Sequence, residues 1–129
     1  MLDLAYWGTM KLLVWVGSSL EDVREFPESV KRTVGYALYL AQAGGKHPDA
    51  KPLTGFGGAG VLEVAEDFSG DTYRAVYTVR LAGAVYVLHA FQKKAKTGRK
   101  TPAQEIDLVR RRLRVAEEDY KQLTKGDRA

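Results

Sequence analysis

Residues 61–91 read VLEVAEDFSGDTYRAVYTVRLAGAVYVLHAF, and this stretch decides the fold. Three runs rich in Val, Tyr and Ala are separated by short turn signals. Val61 to Phe68 is the first strand, Ser69-Gly70-Asp71 a turn, and Tyr73 to Leu81 the second strand. Ala82-Gly83 turns again, and Val85 to Phe91 is the third. Such short connections cannot hold a crossover, so the three strands must form an antiparallel meander.

Working outward, residues 46–60 are rich in Gly and Pro and read as a loop. Before them, Val30, Val34, Ala37, Leu38 and Ala41 recur at helical spacing. The spacing predicts a helix that opens with Pro27 at its first position and stops at Gly44-Gly45. Ser18-Ser19-Leu20-Glu21 has the form of a capping box, with the Ser18 hydroxyl accepting from an N3 amide. It predicts a shorter helix ending near Phe26. Met10 to Val16 is apolar, rich in β-formers and bounded by Gly17, hence another strand.

After the meander, a polar loop from Gln92 to Lys100 leads into Thr101-Pro102-Ala103-Gln104, a second capping box. The last helix carries Ile106, Val109, Leu113, Ala116, Tyr120 and Leu123 on one side, with Arg110, Arg111, Arg112 and Arg114 largely off that stripe. The expected order is β-α-α-β-β-β-α. This is an α+β fold, an antiparallel sheet with two N-terminal helices and a C-terminal helix packed on one face. At 129 residues the chain is expected to be one domain, with Met10 an alternative start and residues 1–9 a leader.

Composition narrows the chemistry. The chain has no cysteine, which excludes disulfides, thiolate catalysis and cysteine-ligated zinc. Its longest apolar runs fall far short of the ~20 residues of a membrane helix, and the N-terminus lacks the pattern of a signal peptide. A cytoplasmic protein is expected. Charge is unevenly placed: −3 over residues 1–69 and +7 over residues 70–129. A basic half suggests a surface for a polyanion, with nucleic acid the usual partner, although a solvated basic helix has the same composition.

Gly55-Phe56-Gly57-Gly58-Ala59-Gly60 matches G-x-G-x-x-G. Dinucleotide binding requires that pattern after a strand and at the start of a helix. Here it follows a helix and opens a strand, so tight turning is the better reading. Arg74 falls in the middle of an apolar strand, where a guanidinium needs a partner or an open cleft. Period-2 alternation groups it with Val76, Thr78 and Arg80, and places Tyr73, Ala75, Tyr77 and Val79 on the other face. Glu63 or Glu66 on the preceding strand are candidate partners. His89, on the next strand, is either a core histidine or a neighbour of Arg74 across the sheet. Lys93, Lys94, Lys96, Arg99 and Lys100 form a run without acids, suited to phosphates. Phe56, Tyr73, Tyr77 and Phe91 suit either base stacking or the core. His47 and His89 give no metal signature, and no cofactor is expected.

The ordered string Lys51-Pro52-Leu53, Gly55, Gly60-Val61-Leu62-Glu63, Tyr73-Arg74-Ala75-Val76-Tyr77, Val87 to Lys94 and Thr101-Pro102 resembles the phage-derived Gp49-like branch of HigB toxins. That branch lies within the RelE/ParE superfamily, and the resemblance runs from about Met10 to Tyr120. It implies a microbial RNase fold, no metal, and an antitoxin partner with a helix-turn-helix domain of the HigA/Xre type. It further implies entry into the ribosome and cleavage of mRNA by 2′-hydroxyl attack on the adjacent phosphate. On this chain it points to Arg74 as phosphate clamp, Lys51 and Lys93 or Lys94 as charge stabilisers, and His89 or Tyr77 as proton carriers. Lys96, Arg99 and Lys100 would add phosphate contacts. The imidazole suits proton exchange near neutral pH, whereas alternation sets Tyr77 on the face opposite Arg74. Two other readings stand beside this one. They are a ParE-like inhibitor of gyrase, and a non-catalytic nucleic-acid or phage-derived binding module.

Overall fold

The computed structural model describes residues 10–58, 60–94 and 101–127. The elements are β1 (Leu12–Trp15), α1 (Ser19–Arg24), α2 (Glu28–Gln42), β2 (Lys51–Pro52), β3 (Val61–Phe68), β4 (Asp71–Thr78), β5 (Ala84–Lys93) and α3 (Ala103–Asp127). The meander is present, but β4 runs from Asp71 to Thr78 rather than from Tyr73 to Leu81, and β5 extends through Lys93 into the expected polar loop. Ser69 and Gly70, both at positive φ (49° and 86°), close the β3–β4 hairpin as a two-residue loop.

Two features depart from the expected architecture. The sheet is mixed and five-stranded, in the order β1-β5-β4-β3-β2, with β1 parallel to β5 and the short β2 added at the far edge. The helices also cover both faces rather than one. Both departures have the same cause. β4 and β5 are buried on both sides along most of their length, so apolar cover is needed above and below. α1 and α2 supply it on one face, where Val30, Val34, Leu38 and Ala41 pack on Leu62, Val64, Ala75, Tyr77, Val85 and Val87. α3 supplies it on the other, where Val109 and Ala116 pack with Val61, Val76, Tyr86 and Leu88. β1 is apolar on both sides too, with Leu13 and Trp15 against the first core and Val14 and Val16 against the second, so it lies beside β5.

The expected capping box at α1 does not form. The Ser18 hydroxyl donates to Asp22 Oδ2 (2.8 Å) instead of capping α1, and the Thr101 hydroxyl, before α3, donates to Glu63 Oε2 (2.9 Å). α2 does end as expected, with Gly44 at φ +88° and the Gly45 amide donating to the Leu40 carbonyl (2.7 Å). The glycine-rich loop opens no helix. Gly60 sits at φ +71°, its carbonyl accepting from the Val79 amide (2.8 Å), and a Cβ there would fall 2.5 Å from that of Arg80. Close passage of the loop over the end of β4 is what requires this glycine.

Candidate functional site

Register builds the site. Antiparallel partners share a face, so on the α3 side the sheet presents three rows. Lys51, Glu63, Val76 and His89 form one, Ala65, Arg74 and Phe91 the next, and Asp67, Thr72 and Lys93 the third. α3 lies along β5 and leaves the β2–β3–β4 end of these rows uncovered. That end forms a cleft of about 960 Å³ whose lining includes Lys51, Glu63, Arg74, Lys94, Thr101 and Ile106.

Arg74 sits on the cleft floor at 8% exposure and so satisfies both conditions that an arginine inside a strand imposes. Its Nη1 donates to Glu63 Oε1 (2.5 Å), while the cleft stands open beside it. Glu63 accepts on its second oxygen from the Thr101 hydroxyl, so one carboxylate ties β3 to β4 and to the entry of α3. Glu66 faces the other way and accepts from the Thr33 hydroxyl of α2 (2.6 Å). Lys93 is buried at 5% exposure. Burial pushes its ammonium below the ordinary lysine value, the Arg74 guanidinium pushes the same way, and Glu63 pulls back. Lys94 lies at the rim, 3.5 Å from Asp71. The structure therefore brings Arg74, Lys51 and Lys94 together in the cleft lining, with Lys93 buried outside that lining and near enough to feel the Arg74 charge. Lys96, Arg99 and Lys100 lie outside the described residues.

His89 does not join them. A bulge in β5 leaves Leu88 as an extra residue between the pairs Tyr77–Val87 and Val76–His89. Without it, His89 would face the α2 core; with it, His89 turns to the α3 side. There it sits under the helix, outside the cleft lining. Its Nε2 pairs with Glu105 and its ring stacks on Phe91 at 4.9 Å between centroids. Nδ1 lies 3.4 Å from Arg112 Nη1. A guanidinium only donates, which assigns Nδ1 as acceptor and Nε2 as the protonated nitrogen. The same Arg112 Nη1 donates to the Leu88 carbonyl at the bulge (3.0 Å), and Nη2 reaches the Ser18 hydroxyl (3.3 Å). Both imidazole nitrogens thus serve to dock α3.

Tyr77 is also apart. It is fully buried on the α2 face, its hydroxyl has no partner among the described residues, and burial raises it to about 12. Tyr86, on the α3 face, is raised as well, by burial and then by its hydrogen bond to Asp119.

Glu63 and Thr101 are cleft residues that the sequence assigns no chemical part. The signal for Glu63 is its period-2 place facing Arg74; Thr101 carries none beyond its cap-like context. Among the described residues, no group of three or more His, Asp or Glu side chains is placed to hold a metal ion. No described helix is long and apolar enough to cross a membrane.

A small α+β chain with a polar cleft at one end of a mixed sheet, lined by Lys51, Arg74 and Lys94 and by Asp49, Glu63 and Asp67, is the class these features define. The family described as phage-derived protein Gp49-like matches residues 21–114, and the chain belongs to it. The matched span is shorter at both ends than the motifs suggest. No curated protein matches the chain. Among solved structures it is similar to a double arginine-to-alanine mutant of the E. coli toxin RelE in the free state. That match has 18% identity, covers 69% of this chain and 87% of that one, and has a TM-score of 0.48.

Proposed function

We propose that this chain is the toxin of a type II toxin–antitoxin pair and acts as an endoribonuclease on mRNA in the ribosome. The observation that carries the reading is the uncovered end of the α3 face. There, Arg74 lies on a cleft floor with Lys51 and Lys94 in the same lining, and Lys93 is buried outside that lining, near enough for the Arg74 charge to act on it. The motif resemblance to HigB-type toxins supplies the biological context. In the reaction the 2′-hydroxyl loses its proton to solvent water as its oxygen bonds to phosphorus, the P–O5′ bond breaks and O5′ takes up a proton, and a cyclic phosphate and a 5′-hydroxyl result. Arg74 would hold the phosphate through its planar guanidinium. Lys51 and Lys94 would offset the charge that develops on it. Lys93, close enough to Arg74 and Glu63 to feel their charges and with its affinity for a proton lowered by burial, would be the source of a proton for the leaving oxygen. A helix-turn-helix antitoxin is the partner that this reading requires.

The test is induction of the chain in a bacterial host, wild type beside Arg74→Ala and Arg74→Lys, with primer extension on a reporter mRNA. Loss of one phosphate-stabilising donor costs about 10²–10³ in rate, so arrest and in-frame cuts should vanish with Ala and largely with Lys. Circular dichroism on both variants separates loss of chemistry from loss of fold. Arrest without cuts would replace this reading with gyrase inhibition. No arrest would leave a binding module.

A further inference from the structure

The loop between β2 and β3 holds two guanidiniums that the proposed chemistry leaves unused. Close approach at Gly60 lays Arg80 along the loop, its Nη2 3.5 Å from the point a Cβ on Gly58 would occupy. Arg110 of α3 lies over the Phe56 ring at 5.0 Å from the centroid. Its Nη2 is 3.6 Å from the corresponding point at Gly55. Neither arginine forms an ion pair among the described residues, in contrast to Arg74 with Glu63 and Lys94 with Asp71. Arg80 is exposed, while Phe56 and Arg110 are half-buried.

The feature is continuous with the cleft. Thr54 and Ile106 line the cleft. Phe56 follows Thr54 by two residues, and Arg110 follows Ile106 by about one helical turn on the same side of α3. An aromatic ring with a guanidinium plane against it is a surface on which a nucleobase stacks. A second, uncompensated arginine beside it suits the accompanying phosphate.

We infer that Phe56, Arg80 and Arg110 form a subsite for a nucleotide of single-stranded RNA flanking the one held at Arg74. The base stacks on the Phe56–Arg110 pair and the backbone phosphate meets Arg80. The subsite's position flanking the scissile nucleotide rests on the nuclease reading; RNA binding at the loop does not. A purely structural arginine–aromatic pair would alter stability when broken and leave RNA affinity alone.

The experiment is fluorescence anisotropy of a labelled eight-nucleotide 2′-O-methyl RNA, whose blocked 2′-oxygens prevent cutting. Inorganic polyphosphate serves as the base-free competitor, and the titrations are repeated across salt. Phe56→Leu keeps apolar volume and should weaken RNA binding about tenfold, within the range for one stacked base. Its salt slope and its affinity for polyphosphate should be unchanged. Arg80→Ala should weaken both ligands and lower the log–log salt slope by about 0.7, the value of one phosphate on a single strand. Arg110→Ala should do both. Wild-type affinity for RNA in all three variants overturns the inference. So does an equal loss on RNA and polyphosphate in Phe56→Leu, or no RNA binding by the wild type at low salt. If mRNA cutting depends on Arg74 while these variants bind normally, only the subsite falls. If nothing is cut yet Phe56→Leu still weakens RNA binding, the nuclease reading falls and the subsite stands.

Discussion

The two faces of the sheet use the same strands and reach opposite outcomes. Under α1 and α2 the face is sealed: Ala75, Tyr77, Val85 and Val87 are fully buried against Val30, Ala37 and Leu38, and even a tyrosine hydroxyl is taken in without a partner among the described residues. Under α3 the face is divided. The β5 half is closed by Val109, Ala116 and the His89–Glu105–Arg112 contacts, and the β2–β3 half is left as the polar cleft. A second helix would have closed this half too, but the chain supplies a single helix on this side among the described residues, and it follows β5. The contrast teaches that partial cover, more than any motif, creates the candidate site. Cations on this face stay reachable at the open end and become structural under the helix.

The largest effect that would break this contrast is expected at Glu63. Glu63→Ala leaves Arg74 buried without that carboxylate, and opening a buried pair costs about 3–5 kcal/mol. Urea denaturation should show that loss. Glu63→Gln keeps an acceptor for Arg74 and should lose less stability, with cleavage between wild type and Arg74→Ala. If Glu63→Ala were as stable as wild type, the pair would not be holding the cleft floor.

At the closed half the expected effect is smaller. His89→Ala removes a side chain that docks α3, and a buried, hydrogen-bonded group of this kind is worth about 2 kcal/mol. Thermal unfolding should register the loss, while reporter-mRNA cutting at a temperature where the variant is folded should persist. Cutting abolished in a folded His89→Ala protein would move the boundary between the two halves and make the histidine chemical after all.

How much of this is readable from the residues varies by element. The meander follows from period 2 and from Ser69-Gly70 and Ala82-Gly83, because strands so closely joined have one way to pair. β2 is not readable: Lys51-Pro52 is two residues long, and its pairing with Leu62 and Glu63 is a tertiary event. The stripe of α3 shows that the helix has an apolar side and does not say which face of the sheet receives it. The near-continuous apolar run of β5 held that information, since a strand buried on both faces demands two covers. The bulge at Leu88 is invisible too, as no glycine marks it in Val85 to Phe91, and with it the placement of His89. Arg74 and the lysines are readable because cations in an apolar, acid-poor context are conspicuous. Glu63 is readable as one of two candidate partners for Arg74, and register chooses it over Glu66, which faces α2.

The smallest expected effect tests the sealed face. Tyr77 buries a hydroxyl that makes no hydrogen bond among the described residues, so Tyr77→Phe removes a desolvated polar group without opening a cavity. The variant should be more stable than wild type by about 1 kcal/mol at neutral pH, with cutting unchanged. The same residue sets an alkaline signature. Its hydroxyl is raised from 10.0 to about 12 in the folded state. Between those values the unfolded chain has lost a proton that the folded chain retains, so Tyr77 makes stability fall as pH rises through that window. Tyr86, also raised, acts in the same direction, whereas Lys93, lowered, makes stability rise with pH up to its ordinary value. Urea midpoints at pH 7 and pH 11 should therefore lie closer together in Tyr77→Phe than in wild type. An unchanged gap would mean that the phenol reaches water, and that the α2 face is less sealed than its packing requires.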